Sequence, residues 1–338
     1  MLPIIIAIVI SFLIVLLAIP STIVMLKERG IIGIDVHKPD KPEVAKGGGF
    51  IVLFAIVTAL LVVIGFTTFQ AQEVNTGLLA ALVSILMAGM IGLLDDTLDF
   101  KNRTKIALPL IASIPMIAMQ VGTVTMSIPF IGTVNLGVLY PLVVVPLMMT
   151  FIIDSTNMYG GMNGLETGLA AINSSAFVLY VCIEPIIAQN GAPQLFDAGV
   201  IAGALLGATL AFFIFNRFPA KVLPGDVGRL PIGAAMAAAL ILGNMDRLAV
   251  VLYTPFLINF VLYLAYRFYV KRTGIEYQKF AKPREDGTLE VVGPFTLYWL
   301  FPHISKNITE KRNVNLLLLL QAILAYGAVL FLLFGLVL

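Results

Sequence analysis

The sequence predicts an all-α, polytopic membrane protein with about ten transmembrane helices. Three observations predict it: an apolar composition, a series of long apolar runs, and a one-sided distribution of cations. Of 338 residues, 59% are hydrophobic and 12% charged, and the mean hydropathy is +1.01. Such a chain cannot hide its apolar surface in a soluble core of ordinary proportions. The single cysteine, Cys182, lies inside an apolar run, which excludes an intramolecular disulfide and the Cys-rich metal patterns.

A bilayer core of roughly 30 Å takes about 20 helical residues. Apolar runs of that order occupy residues 3–26, 48–68, 77–94, 106–127, 136–153, 165–188, 198–215, 229–244, 248–270 and 313–337. The eighth is the shortest and is rich in alanine. The first lacks a basic stretch before it and a small-residue cleavage site close behind, so it is expected to be a retained helix and not a signal peptide. Lysine and arginine give the orientation. They crowd the loops after the first, third, seventh and ninth runs, and only Arg247 falls on the other side. The positive-inside rule then puts both termini outside and the crowded loops in the cytoplasm. The whole chain, 1–338, is expected to form one integral membrane domain, with 271–312 as a long cytoplasmic loop holding an interfacial segment.

Three stretches on that side carry chemistry. Asp95 and Asp96 end the third run and are followed by Asp99, Lys101, Arg103 and Lys105. An Asp at the centre of a membrane helix costs about 2.5–3.5 kcal/mol, so the pair belongs at the water boundary. Carboxylates crowded there beside cations suit divalent-metal chemistry on phosphates, and equally suit a solvated loop with ordinary turn acids. The second stretch runs from Asp154 to Glu166 without any cation; Gly160, Gly161 and Gly164 allow close backbone approach, while Asn157 and Asn163 offer uncharged amides to a metal or a base edge. Helix termination explains the same residues structurally. The third places Asp226 between Gly225 and Gly228, as a metal-binding acid or an N-cap. Acids at mid-membrane depth and repeated interrupted helices, expected of a carrier, are missing from the pattern.

The ordered set of Asp95-Asp96, Asn157 with Asn163-Gly164, and Pro224-Gly225-Asp226 resembles the polyprenyl-phosphate N-acetylhexosamine-1-phosphate transferases. The strings Asn163 to Gly168, Asn216 to Val222, Asp286 to Glu290 and Arg312 to Asn315 with Gln321 are similar to the archaeal and eukaryotic branch, which moves GlcNAc-1-phosphate from UDP-GlcNAc to dolichyl phosphate. The loop Asp35-Val36-His37-Lys38, with Pro42 and Gly47 to Gly49, fits as well. The resemblance spans nearly the whole chain. It implies that Asp226 and Asn157 hold Mg²⁺, replaceable by Mn²⁺, against the donor pyrophosphate, and that Lys105 contacts that pyrophosphate. It makes Asp95 and Asp96 the catalytic acidic pair, lets Asn163 read the uracil with Leu223 packed on that ring, and puts Glu43 near the nucleotide.

The reaction so implied is attack by a lipid monophosphate on the sugar-linked phosphorus, with UMP leaving. Direct attack is favoured over a covalent aspartyl intermediate, because a phosphate needs little activation near neutral pH. The implied partners are a UDP-sugar, a polyprenyl or dolichyl phosphate and the bilayer, with no nucleic acid; a homodimer is compatible with the fold. An archaeal cell membrane, with the active site towards the cytoplasm, is the expected location. One departure stands out. Relatives carry histidine or an Arg-His-Arg cluster after the ninth helix, where this chain reads Tyr277 to Arg284 without histidine, so Lys282 or Arg284 is expected to take over sugar or pyrophosphate contacts. The aromatic segment 295–301, with Trp299, is expected to be an interfacial anchor. A CDP-alcohol phosphotransferase is disfavoured by the absence of its Asp-Gly and paired-Asp spacing, and a multi-pass transporter of nucleotide sugars or lipids remains the alternative from another class.

Overall fold

The computed structural model of the protein describes residues 1–128, 132–188 and 193–334. Eight of its helical segments are long and apolar enough to cross a membrane. They lie in α1 (Leu2–Glu28), α2 (Gly49–Ala71), α3 (Thr76–Leu98), α6 (Val145–Met158, entered through a π-helical turn at Tyr140–Val144), α7 (Leu165–Ala188), α8 (Pro193–Asn216), α10 (Asp246–Thr273) and α12 (Glu310–Leu333). The chain is therefore an all-α polytopic membrane protein. Exposed Leu17, Phe69 and Ile186 on these helices suit hydrocarbon contact, since the backbone groups behind them are satisfied within each helix.

The fourth expected span, 106–127, is not one helix. It divides into α4 (Asn102–Ala112) and α5 (Ile114–Ala118), and the chain then turns into strand β3 (Thr125–Ile128), paired antiparallel with β4 (Gly132–Asn135). Pro109 and Pro115 remove helix donors in succession, and the β-branched Thr123, Val124 and Thr125 favour the extended form that follows. The eighth expected span becomes α9 (Asp226–Leu242), only 17 residues long. Every residue from Leu230 to Leu242 is buried, so α9 is a central strut wrapped by α2, α3, α6 and α8. Its alanines let neighbours approach closely, in the manner of small-residue membrane packing. Where α3 crosses it, a Cβ on Gly92 would stand 2.2 Å from the carbonyl oxygen of Asp226.

The polar loops gather at one end of the bundle. There β1 (Ile32–Ile34) pairs antiparallel with β2 (Glu43–Lys46), which pairs in parallel with β5 (Val222–Leu223), setting Lys46 beside Leu223. This small sheet ties the loop after α1 to the one before α9. The connection after α10 carries the hairpin β6 (Lys282–Pro283) and β7 (Leu289–Glu290), then α11 (Leu297–Ile304). Trp299 on α11 is fully buried against Tyr266 and Tyr298. Its ring therefore packs α11 inward on α10 through Tyr266.

Candidate active site

The centre of the polar end is a carboxylate cluster built from two helix ends. Asp95 is buried in the last turns of α3, whose C-cap is Asp99 in the left-handed conformation. Asp95 accepts the Phe100 backbone N–H at 3.0 Å and meets the Lys105 ammonium at 2.9 Å. Lys105 thus folds back from the first turns of α4 onto the acidic pair. Burial alone would lower its pKa, but the bond to Asp95 and the fields of Asp95 and Asp226 outweigh that and hold it above the ordinary lysine value. Asp96 caps α9 by accepting the Val227 N–H at 2.9 Å, and its other oxygen lies 3.2 Å from Lys46. Gly225, at φ +70°, makes that approach feasible, since a Cβ there would stand 2.6 Å from Asp96 Oδ2.

Asp226 opens α9 with its carboxyl within hydrogen-bonding reach of Asp95. Burial, reinforced by Asp95 and Asp96, pushes the Asp226 carboxyl up to about 6 against the pull of Arg229. Arg229 approaches Asp226 at 3.8 Å but forms its close pair with the buried Glu166, through two donors at 2.9 and 3.1 Å. Four carboxylates, Asp95, Asp96, Asp226 and Glu166, therefore face three cations, Lys46, Lys105 and Arg229. Carboxylates from different helices held at contact, with a deficit of positive charge, form an all-oxygen donor set that fits a hard divalent cation.

A second cluster surrounds Asn163. Its side-chain oxygen accepts from Lys38 Nζ at 2.7 Å and from the Ala220 N–H at 2.8 Å, while its own N–H donates to Glu310 Oε1 at 2.8 Å. Lys38 also donates to Asp35, and to Glu310 at 3.1 Å, and lies 4.6 Å above the Phe218 ring. Asp35, His37 and Glu310 bring potential metal-ligating atoms within 4.8 Å of one another. The Lys38 ammonium already stands among these residues and bonds to both carboxylates, so it occupies the place a cation would take. Burial pulls His37 down to about 4, against the field of Asp35, and its ring stacks edge-on to Phe280 from the connection after α10.

The residues expected from the sequence divide accordingly. Asp95, Asp96, Lys105 and Asp226 meet in one place. Asn163 sits in the neighbouring cluster, and Leu223 is half-buried in β5 beside Lys46. Asn157 is half-buried at the end of α6, where its backbone carbonyl accepts the Gly160 N–H at 3.3 Å and Gly160 lies against Glu166 and Arg229; no hydrogen bond joins its side chain to Asp226 among the described residues. Glu43 is exposed on β2, and Lys282 is exposed on β6. Arg284 is already engaged, donating to Thr288 in its own hairpin and to the Lys306 carbonyl beyond α11, and pairing with Glu290 at 3.4 Å. Lys38, Lys46, Glu166, Arg229 and Glu310 were not singled out by the sequence, although the Asp35-x-x-Lys38 spacing was a signal that the loop carried a paired charge.

A cleft of about 800 Å³ runs from this end down between α1, α2 and α3. Its walls are apolar, including Phe50, Phe54, Leu86 and Met90, and Lys46 and Asp96 stand on its polar margin.

Comparison with known proteins places this arrangement. The glycosyl transferase family 4 model matches residues 78–244, a stretch containing Asp95, Asp96, Lys105, Asn157, Asn163, Leu223 and Asp226. A protein of Saccharolobus solfataricus, provisionally named as a UDP-N-acetylglucosamine–dolichyl-phosphate N-acetylglucosaminephosphotransferase, is 32% identical over 92% of this chain and 89% of its own length. The Dictyostelium discoideum UDP-N-acetylglucosamine–dolichyl-phosphate N-acetylglucosaminephosphotransferase is 25% identical over 90% of this chain and 82% of its own. The phospho-N-acetylmuramoyl-pentapeptide-transferase of Streptococcus agalactiae is 34% identical over 68% of this chain and 70% of its own. With that similarity sustained along almost its whole length, and with the acidic cluster inside the matched region, the chain belongs to glycosyl transferase family 4.

Proposed function

We propose that the chain transfers GlcNAc-1-phosphate from UDP-GlcNAc to a polyprenyl phosphate of the dolichyl type, with release of UMP, as the first step of lipid-linked oligosaccharide assembly. The observation that carries this reading is the gathering of Asp95, Asp96 and Asp226 at two helix ends, tied by the Asp96 bond to the Val227 N–H and paired with Lys46, Lys105 and Arg229. The names of the relatives from Saccharolobus and Dictyostelium supply the sugar and the lipid. An oxygen of the lipid phosphate attacks the sugar-linked phosphorus, forming the new P–O bond as the bridging P–O bond to UMP breaks.

Asp226 and Asn157 would hold Mg²⁺, with Mn²⁺ as a substitute, and the bound ion would neutralise the pyrophosphate charge. Lys105, fixed by Asp95, offers its ammonium to the same charge. Asp96 stands on the cleft margin and is the acid suited to take the proton of the lipid phosphate; a placed base of this kind contributes on the order of 10²–10⁴-fold. The apolar cleft suits an acceptor whose head is charged and whose tail is hydrocarbon. Asn163 and Leu223 are assigned to the uridine. Glu43, Lys282 and Arg284 are left with the sugar and the outer rim, and Arg284 has to give up hairpin bonds to serve there. The one-sided cations support a cytoplasm-facing site, and the whole chain is taken as one catalytic unit.

Membranes containing the protein, incubated with radiolabelled UDP-GlcNAc, Mg²⁺ and polyprenyl phosphate, are expected to yield labelled lipid that disappears with Asp226→Ala or tunicamycin. Asp96→Asn and Lys105→Ala should lower turnover by at least about 10²-fold; Asp96→Asn keeps an oxygen for the Val227 N–H and should melt near the parent protein, whereas Lys105→Ala leaves the buried Asp95 without its cation and should melt lower. Near-normal rates in both variants would remove the site from this cluster, and vesicle uptake of the nucleotide sugar without lipid labelling would favour transport.

A further inference from the structure

Lys38, Asp35 and Glu310 lie outside the acids that handle phosphate, yet they form the most completely bonded charged group at the polar end. An ammonium has three N–H donors. Those of Lys38 are directed to Asp35, Glu310 and Asn163, and its side chain is 11% exposed, against 3% for Asp35 and 2% for Glu310. A lysine so saturated has no donor left for a ligand. What it does is fix its neighbour. Asn163 Oδ1 accepts from two donors, Lys38 Nζ and the Ala220 N–H, and Glu310 anchors the Asn163 backbone. A carboxamide turned over would aim its own N–H bonds at those two donors, so the oxygen is locked inward. Nδ2 is left, among the described residues, as the edge without a partner, and it can only donate.

We propose that Lys38, Asp35 and Glu310 are positioning residues that fix the amide polarity of Asn163, so that the nucleotide pocket presents a hydrogen-bond donor and selects a uracil base over a cytosine base. The proposal rests on the reading that the chain takes a pyrimidine nucleotide sugar at Asn163. Uracil carries a carbonyl acceptor at C4, whereas cytosine carries an amine donor there. A fixed donor pairs with the first and leaves two donors facing each other with the second. An unpaired buried polar group of this kind weakens binding on the order of 10-fold or more.

The test is equilibrium binding of UMP and CMP, with Mg²⁺, to the purified full-length protein. The ratio of the two dissociation constants is the readout, because a merely structural defect weakens both nucleotides alike. The parent protein is expected to favour UMP by about 10-fold or more. Lys38→Arg, which keeps a cation that can donate to Asn163, should retain the preference. The neutral triple variant Asp35→Asn, Lys38→Met, Glu310→Gln lets the carboxamide turn and should bring the ratio close to unity. Should that variant fail to fold, Asn163→Leu removes the donor and leaves the ion pair in place; it is expected to weaken UMP alone. A parent protein that binds UMP and CMP equally, or an Asn163→Leu variant that weakens both equally, overturns the inference while leaving the transferase reading standing. Binding of neither nucleotide by the parent protein overturns the transferase reading and the inference with it.

Discussion

At the scale of the residue, the polar end is governed by the cost of burying charge. Asp95, Asp96, Asp226 and Lys105 were legible in the sequence because each interrupts or borders an apolar run where charge is expensive, so its presence required a reason. Glu310 was not legible. An acid in the first turn of a helix capped by Thr309 has an adequate local explanation, and its partner Asn163 is 147 positions away. His37 was named only as part of the loop Asp35 to Lys38, which has no apolar context to mark it as buried. Its folded-state pKa of about 4, against an ordinary 6.5, means that the folded protein resists its protonation. The contribution is complete above pH 6.5 and is lost as the pH falls towards 4, where the unfolded chain binds a proton that the folded one refuses. Across that interval His37 supplies an acid destabilisation on the order of 3 kcal/mol, while Asp226, raised to about 6, works in the opposite direction. The His37 part is read as the difference between the thermal unfolding profiles of the parent protein and His37→Leu in detergent; a difference that does not change between pH 6.5 and 4 would assign no acid sensitivity to His37.

At the scale of the element, helix existence followed from hydropathy while helix continuity did not. The run 106–127 is as apolar as its neighbours, yet two prolines and a β-branched stretch divide it into α4, α5 and a hairpin strand. Hydropathy reports solvent preference, whereas continuity depends on backbone donors that proline removes. The opposite case is α9. It is the shortest of the apolar runs and rich in alanine, and those properties let it serve as the central element, because small side chains allow four helices to close around it. Gly92 lies at its closest crossing, so Gly92→Ala is expected to push α3 from α9, costing about 1–3 kcal/mol. Because the same crossing holds Asp96 on the Val227 N–H, turnover should fall together with the melting temperature. Loss of stability with full turnover in the surviving fraction would separate the crossing from the site.

At the scale of the whole molecule, loops that the cation pattern assigned to one side meet at one end. The ion pairs and hydrogen bonds Lys46 to Asp96, Ala220 to Asn163, Lys38 to Glu310 and Arg229 to Glu166 join segments drawn from across the chain. The positive-inside reading gives this end a testable address. With Cys182 replaced by Ser, single cysteines introduced at the exposed Glu43 and Lys282 should react with a membrane-impermeant maleimide only when the cytoplasmic face is open to the reagent. Labelling of both from outside intact cells would invert the orientation. The sequence by itself determined the membrane class, the uneven placement of lysine and arginine among the loops and the acids at helix ends, because transfer free energies act on each segment alone. Only the tertiary structure decided that Asp96 caps the helix opened by Asp226, that Lys38 is an internal strut fixing Asn163, that Arg284 is engaged by its hairpin and the Lys306 carbonyl, and that Trp299 points inward. Those outcomes depend on distances between residues far apart in the chain, and pairwise contact has no signature in the hydropathy or spacing of either partner.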